Sequence, residues 1–308
     1  MSPSHLGVIL DFLSLRSALR PFAASFHRTL IVTSQSQLRI FGHNYGRQCE
    51  VPANLGRVVA IAAGMMYTCT ITENGRLRCF GYNDRGQCEV PANLRGARVV
   101  AIAAGEEHTC AITENGRLEC FGSNEYGQCA VPAHLDDVVA VAACGWHTCA
   151  ITSNGRLHCF GLNDEGQCMV PMDLEHVVAV AASEEFTCAI NTQGQLHCFG
   201  DNSSGQCEVP SNLQAVVAVA AGGDHTCALT ADGRIHCFGH NSSGQCDVPS
   251  DLEGVVAITA GEQHTCALTT DDRIHCFGAN GNGQCNIPTD VRLLTNDTVQ
   301  FHEVLNRF

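Results

Sequence analysis

The chain has 308 residues and a formal charge of −14, set by 31 acidic residues against 17 basic ones, every one of which is arginine. That balance argues against a nucleic-acid binder, which needs a basic footprint to neutralise phosphates, and against a protein that docks on anionic lipid. The acidity is uneven: residues 1–120 carry 12 Arg and 9 Asp or Glu, whereas residues 121–308 carry 5 and 22.

Residues 1–18 form an N-terminal extension with no assigned element. The segment Leu6–Leu15 is apolar but interrupted by Asp11 and lacks a preceding basic residue, so it makes a poor secretory signal. Arg16, Arg20 and Arg28 among serines give it a faint transit-peptide character. No apolar run is long enough for a transmembrane helix.

From residue 19 the chain repeats. The string GQC, or RQC in the first copy, ends at Cys49, Cys88, Cys129, Cys168, Cys207, Cys246 and Cys285, at intervals of 39, 41, 39, 39, 39 and 39 residues. Each unit reads close to VVAIAAGxxHTCAITxNGRLHCFGxNxxGQCxVPxxL. In the second unit, residues 58–64 are β-branched and small, as a buried inner strand requires. Residues 68–72 and 77–81 read as a second and a third strand, joined by the hairpin signal Glu73-Asn74-Gly75. Gln87–Val90, stopped by Pro91, reads as an outer fourth strand. Four short strands recurring seven times predict an all-β fold, a seven-bladed β-propeller of four-stranded antiparallel blades spanning residues 19–290. A β-solenoid is the alternative, but its coils are usually shorter. The first unit is degraded: its inner strand aligns at residues 19–24, where Pro21 is awkward. Residues 291–308 are expected to cross back and reinforce the first blade, so that a terminal segment closes the ring.

These units resemble regulator of chromosome condensation repeats, most plainly in HTCAIT-ENGR-LECFGSNEYGQ at 108–128 and its six relatives. The short period and the following VP are also similar to those of the beta-lactamase inhibitor protein II, a seven-bladed member. The resemblance implies the fold; function does not follow from it, because the family hosts many roles on one scaffold. Members that exchange nucleotide on the Ran GTPase have longer repeats and an inserted β-wedge, for which 39 residues leave no room. The plant ultraviolet receptors use tryptophan clusters, and this chain has only Trp146. The large ubiquitin ligases add a HECT domain that is missing here.

Alternating strand directions place the loop between strands one and two on the same face as the loop after strand three. Those loops hold the residues that break the repeat: Tyr45, Met65, Met66, Tyr67, Tyr82, Asp84, Arg85, Glu106, Glu107, Glu125, Tyr126, Trp146, Leu162, Glu165 and Phe186. The corresponding loops of units five to seven read DNSSG, HNSSG and ANGNG, small and polar. Aromatics, Met and Arg are the types enriched at interface cores. One sector of one face is therefore expected to bind a protein with a basic patch, with the acids steering the encounter. The competing reading is that these rings pack between neighbouring blades.

Cysteines recur ten apart as Cys69/Cys79, Cys110/Cys120, Cys149/Cys159, Cys188/Cys198, Cys227/Cys237 and Cys266/Cys276. A three-residue hairpin loop makes each pair face across two strands; a two-residue loop would put the sulfurs on opposite sides. The first unit replaces both members together, with Leu30 and Ile40. Disulfides and paired free thiols both fit, since opposed Cβ atoms lie about 4.5–5.5 Å apart and a disulfide prefers about 3.8 Å. The GQC cysteines are expected as buried free thiols. His108, His147, His225 and His264 lie two residues before a cysteine, but no CxxC spacing exists and no metal or cofactor is expected. No triad or nucleotide loop is present, so no catalytic residue is expected. The NGR strings follow from the hairpin turn, and the sequons at Asn202, Asn241 and Asn296 matter only in a secreted chain.

The reading is a non-enzymatic, monomeric interaction scaffold in the cytoplasm. The alternatives are a regulator of a small GTPase by guanine nucleotide exchange, an adaptor in a ubiquitin ligase pathway, and a secreted inhibitor or recognition module if the paired cysteines are disulfides.

Overall fold

In the computed structural model, which describes residues 22–288 and 291, twenty-one strands form seven three-stranded antiparallel sheets, each drawn from consecutive strands. In the second blade they are Val58–Ala63, Tyr67–Thr72 and Leu77–Gly81. The middle strand of every blade is buried along its whole length, because neighbouring blades cover both its faces. That double burial explains its composition, HTCAIT or a close variant, with small or β-branched residues on both sides.

The hairpin turn closes as its glycine predicts. Thr72 N–H donates to Arg76 O at 3.0 Å, and Gly75 takes φ +74°, the left-handed position of a three-residue loop. This fixes the register: Ile71 opposes Leu77 and Cys69 opposes Cys79.

The blades have three strands, not the expected four. Residues 87–90 and their equivalents fold into consecutive turns. Gly86 N–H bonds Asn83 O, Glu89 N–H bonds Gly86 O, and Cys88 N–H donates to Asn83 Oδ1 at 2.7 Å. Those donors are turned inward and cannot pair with the third strand. The motif NxxGQC is therefore a loop stapled by its own asparagine. Its glutamine side chain is buried in every copy and, in all but the first, accepts from the backbone two residues back, as from Arg85 to Gln87 Oε1 at 3.0 Å.

Cores lie between blades. Ile71 and Leu77 of the second blade pack with Val99 and Ile102 of the third, and Leu30 and Leu38 of the first with Val58 and Ile61 of the second. Fully burying such a side chain contributes about 1.5–3 kcal/mol. The first blade touches both the second and the seventh. At that seam Phe22 and Ile31 pack with Cys266 and Leu268, and Ala24 N–H donates to Thr259 Oγ1 at 2.9 Å. The inner strand of the first blade is Phe22–Ser25, beginning just past Pro21. Val291 joins the seam cluster; the proposed extension (1–18) and the remainder of the closing segment (292–308) lie outside the described residues. Alanine-rich inner strands from all seven blades surround a central channel of about 480 Å³.

A belt of hydrogen bonds links each blade to the next. His108 Nε2 lies 2.9 Å from Thr148 Oγ1, and the same contact recurs from His147 to Thr187, His225 to Thr265 and His264 to Thr29. Thr148 Oγ1 spends its hydrogen on Gln128 O at 2.9 Å, so it accepts from His108, which fixes the proton on Nε2. The other nitrogen, Nδ1, is buried without a partner in all four rings.

Glycines cradle these loops. Gly122 has φ +110°, and a Cβ there would lie 2.4 Å from Glu107 O and 3.0 Å from His108 Cα, both backbone atoms. Gly122→Ala is expected to destabilise the protein by about 3 kcal/mol or more, measured by urea unfolding. An unchanged midpoint would show that this backbone yields.

Candidate interaction face

The loop between strands one and two is tied in each blade to the start of the loop after strand three. Tyr82 N–H donates to Met66 O at 2.9 Å, Ser123 to Glu107 O at 2.8 Å, and Leu162 to Trp146 O at 2.9 Å. The two loop sets therefore share one face, as strand direction requires.

On that face Tyr126 is 50% exposed and tilts against the half-buried Trp146, ring centroids 5.9 Å apart. Tyr45 is 88% exposed and meets His43 edge-on at 4.1 Å. Arg85 bridges blades two and three, with Nη1 2.8 Å from Glu125 Oε1 and Nε 3.4 Å from Glu107 Oε2. Tyr82 donates to Asp84, whose carboxylate pushes the phenol up. Met65, Met66, Leu162 and Glu165 are all partly or fully solvent-accessible.

Tyr67 and Phe186, expected among the anchors, are instead fully buried. They open the middle strand and occupy the histidine position of the belt. Tyr67 donates its hydroxyl to His108 O in the next blade, and burial pushes that phenol up. Phe186 cannot donate, and Ser183 replaces the usual glycine beside it and bonds Gly223 O at 2.8 Å. In the first blade Arg28 fills the position, donating to Thr68 Oγ1 at 3.0 Å and Tyr67 O at 3.1 Å. The aligned histidines were the signal that Tyr67 and Phe186 belong to the core.

Two carboxylates outside the expected set, Asp224 and Glu262, join Glu106 and Glu184: Glu184 and Glu262 line the channel, Glu184 and Glu262 act on Glu106, and Asp224 acts on Glu184. Burial, then Glu184, Glu107 and Glu262, push the Glu106 carboxyl up to about 7. Burial, then Glu262, Glu185 and Asp224, push Glu184 up. Met169 and Met172 stand 69% and 100% exposed on the connection leaving the fourth blade.

The cysteine pairs face each other in the expected register, but five of the six are disulfides and not paired thiols. Cys69 is bonded to Cys79, Cys110 to Cys120, Cys188 to Cys198, Cys227 to Cys237 and Cys266 to Cys276. The reason lies in the ladder. Thr72 and Arg76 form a hydrogen-bonded pair, so by alternation Cys69 and Cys79 fall at a non-hydrogen-bonded pair, where two strands approach most closely. The Cα atoms of the five pairs are 4.1–4.2 Å apart. The two ends of each bridge also differ in exposure. Cys69, Cys110, Cys188, Cys227 and Cys266 on the middle strand are fully buried, whereas Cys79, Cys120, Cys198, Cys237 and Cys276 on the third strand are half-buried. The sixth pair, Cys149/Cys159, keeps its thiols, with sulfurs 2.9 Å apart.

The GQC cysteines are free but half-buried rather than buried. Each thiol donates to the carbonyl six residues back, as Cys129 does to Ser123 O at 3.2 Å. Burial pushes Cys88, Cys129 and Cys168 up to about 12. Among the described residues no group of three or more His, Cys, Asp or Glu could hold a metal ion. No described helix is long and apolar enough to cross a membrane.

The family model described as the regulator of chromosome condensation (RCC1) repeat matches residues 58–87, 99–128, 138–167, 177–206, 216–245 and 255–284, more than half of the chain. The chain belongs to the RCC1-repeat family. No curated protein matches its sequence. Among solved structures it resembles the receptor kinase CR4 ectodomain of Physcomitrella patens (TM-score 0.70, 21% identity, 85% of this chain and 73% of that one). It resembles Prp20p of Saccharomyces cerevisiae as well (0.70, 17%, 95% and 90%), a structure described together with binding to Gsp1p and histones. The ACR4 ectodomain of Arabidopsis thaliana is also similar (0.68, 18%, 84% and 97%). At these identities the likeness is one of fold. The first blade of this RCC1-repeat chain falls outside the six matched segments, in keeping with its degraded sequence.

Proposed function

We propose that this RCC1-repeat propeller is a non-catalytic protein-binding scaffold whose partner docks on blades one to four of the face carrying the strand one–two loops. The observation that carries the reading is the clustering there of Tyr82, Tyr126 and Trp146 with Asp84, Glu107 and Glu125, while the loops after strand three of blades five to seven (DNSSG, HNSSG and ANGNG) hold no aromatic residue. Exposed aromatics on a fixed scaffold bury large area at little entropic cost. The carboxylates at the channel mouth suppress one another's ionisation, so a cationic group brought among them is favoured. A partner presenting Arg or Lys fits that field.

The test compares pull-downs of wild type, Tyr82→Ala/Tyr126→Ala/Trp146→Ala, and Arg234→Ala as an exposed control at the sixth blade's hairpin turn, on the opposite face. The triple variant should lose the partner and the control keep it; for Trp146→Ala alone, affinity should fall about 30-fold, the value of one good anchor. Retention by the triple variant would place the interface elsewhere.

A further inference from the structure

On the opposite face, the second blade has a cleft of about 250 Å³ lined by Leu55 and Gly56 of the incoming connection, Thr72, Glu73 and Asn74 of the hairpin turn, and Arg57, Arg76 and Arg78. Arg57 is held in place, its Nε 3.2 Å from Glu73 Oε2 and its Nη2 3.4 Å from Ser36 Oγ of the first blade. Arg76 and Arg78 have no carboxylate within ion-pair distance among the described residues. Asn74 Oδ1 accepts from Thr72, which leaves its amide N–H groups for a ligand. Three cations face one anion, so the cleft holds a surplus of two positive charges within a protein of net charge −14.

The repeat supplies its own controls. At the position of Arg57 later blades carry Arg98, Asp137, His176, Ala215 and Gly254; at the position of Arg78 they carry Glu119 and then histidines. In blade three, Glu119 pairs with Arg117 at 2.6 Å, and in blades six and seven Arg234 and Arg273 pair with Asp232 and Asp271. Hairpin geometry alone therefore does not require the arginine triplet, which only the second blade carries.

We propose that this cleft is an anion site for a dianionic phosphoryl group. Such a group carries a charge of about −1.5 to −2 near neutral pH and three acceptor oxygens, matching both the surplus charge and the fan of guanidinium donors. A single carboxylate would leave one arginine uncompensated. Planar guanidinium forks suit phosphate geometry better than the point charge of an ammonium group.

The experiment is calorimetric titration of the full chain at low ionic strength with inorganic phosphate and, separately, with a short phosphoserine peptide and its unphosphorylated form. Saturable one-site binding is expected, weakening as salt is raised. Arg76→Ala/Arg78→Ala should weaken it about tenfold or more, while Arg156→Ala in the fourth blade should leave it unchanged. These side chains are exposed, and a melting temperature equal to wild type will show that each variant is folded. Tighter binding of the phosphopeptide than of phosphate assigns the group to a modified protein; equal binding assigns it to the free ion. Absence of saturable binding to either ligand, equal binding of the phosphorylated and unphosphorylated peptides, or undiminished binding by the double variant would overturn the site. None of these outcomes bears on the aromatic face.

Discussion

Lowering the pH from 7.5 to 5.0 should cut the stability of this propeller by several kcal/mol. Burial holds His108 down to about 3, and His225 and His264 down to about 4, against an ordinary value of 6.5. His108 and His225 donate through Nε2 to threonines whose own hydrogens go to Gln128 O and Gln245 O, and their Nδ1 atoms are buried without a partner, so a second proton there would enter a site with no acceptor. Because the folded values are depressed, the unfolded chain binds more protons below about pH 6.5, and stability falls as acid is added. At pH 5.0 each ring contributes a loss of about 2 kcal/mol, so the three together reach roughly 6 kcal/mol. Glu106 and Glu184 act with the opposite sign. Their folded values are raised, so over the same range they favour the folded state as pH falls and offset part of the loss. Thermal melts at the two pH values should differ by about 10 °C, lower in acid. Glu106→Gln/Glu184→Gln should widen that gap. A melting temperature that holds or rises at pH 5.0 would remove the belt of neutral histidines from the account.

Reduction should be the second large effect. The five disulfides each close a hairpin of ten residues' separation. In the chain-entropy account such a loop stabilises by about 3 kcal/mol. The bridges sit in separate blades and share no partners, so their contributions add. The hairpin turn already restrains the same residues, so the sum of about 15 kcal/mol is an upper bound. Protein purified without reductant should titrate ten thiols after denaturation, and all twenty after reduction. Its melting temperature should fall by at least about 10 °C in reductant. Twenty thiols at the outset, or identical melts with and without reductant, would sink the cross-linked reading.

The repeat period, the hairpin register and the facing of the cysteine pairs are all legible in the sequence, because a period-two strand beside a glycine turn leaves one register that buries the apolar set. Whether each pair is bonded is not, since the sequence carries the register but not the local separation of the strands. The fourth strand misleads for a physical reason. GQCEV has the β-branched and small residues of a strand, but the asparagine four residues before the glutamine claims the backbone N–H groups first. Tyr67 and Phe186 mislead because the belt position is filled by Arg, Tyr, His and Phe in turn, types that share length rather than chemistry. Single-chain reasoning sees an aromatic next to a loop; only the neighbouring blade shows where it goes. The arginine cleft is invisible for a related reason, since Arg57 and Arg78 are far enough apart along the chain that only the folded blade brings them to one hollow.

Each described sheet is built from one uninterrupted stretch of chain, the first included. The boundary between the seventh blade and the first is therefore stitched by side chains and loop hydrogen bonds of the same kind as every other boundary, and Phe22 and Val291 meet in one cluster there. Among the described residues, nothing in that arrangement distinguishes this seam from the other six. A circularly permuted version, joined across this seam and opened at the exposed connection around Met172, would rebuild the same ring with its termini relocated.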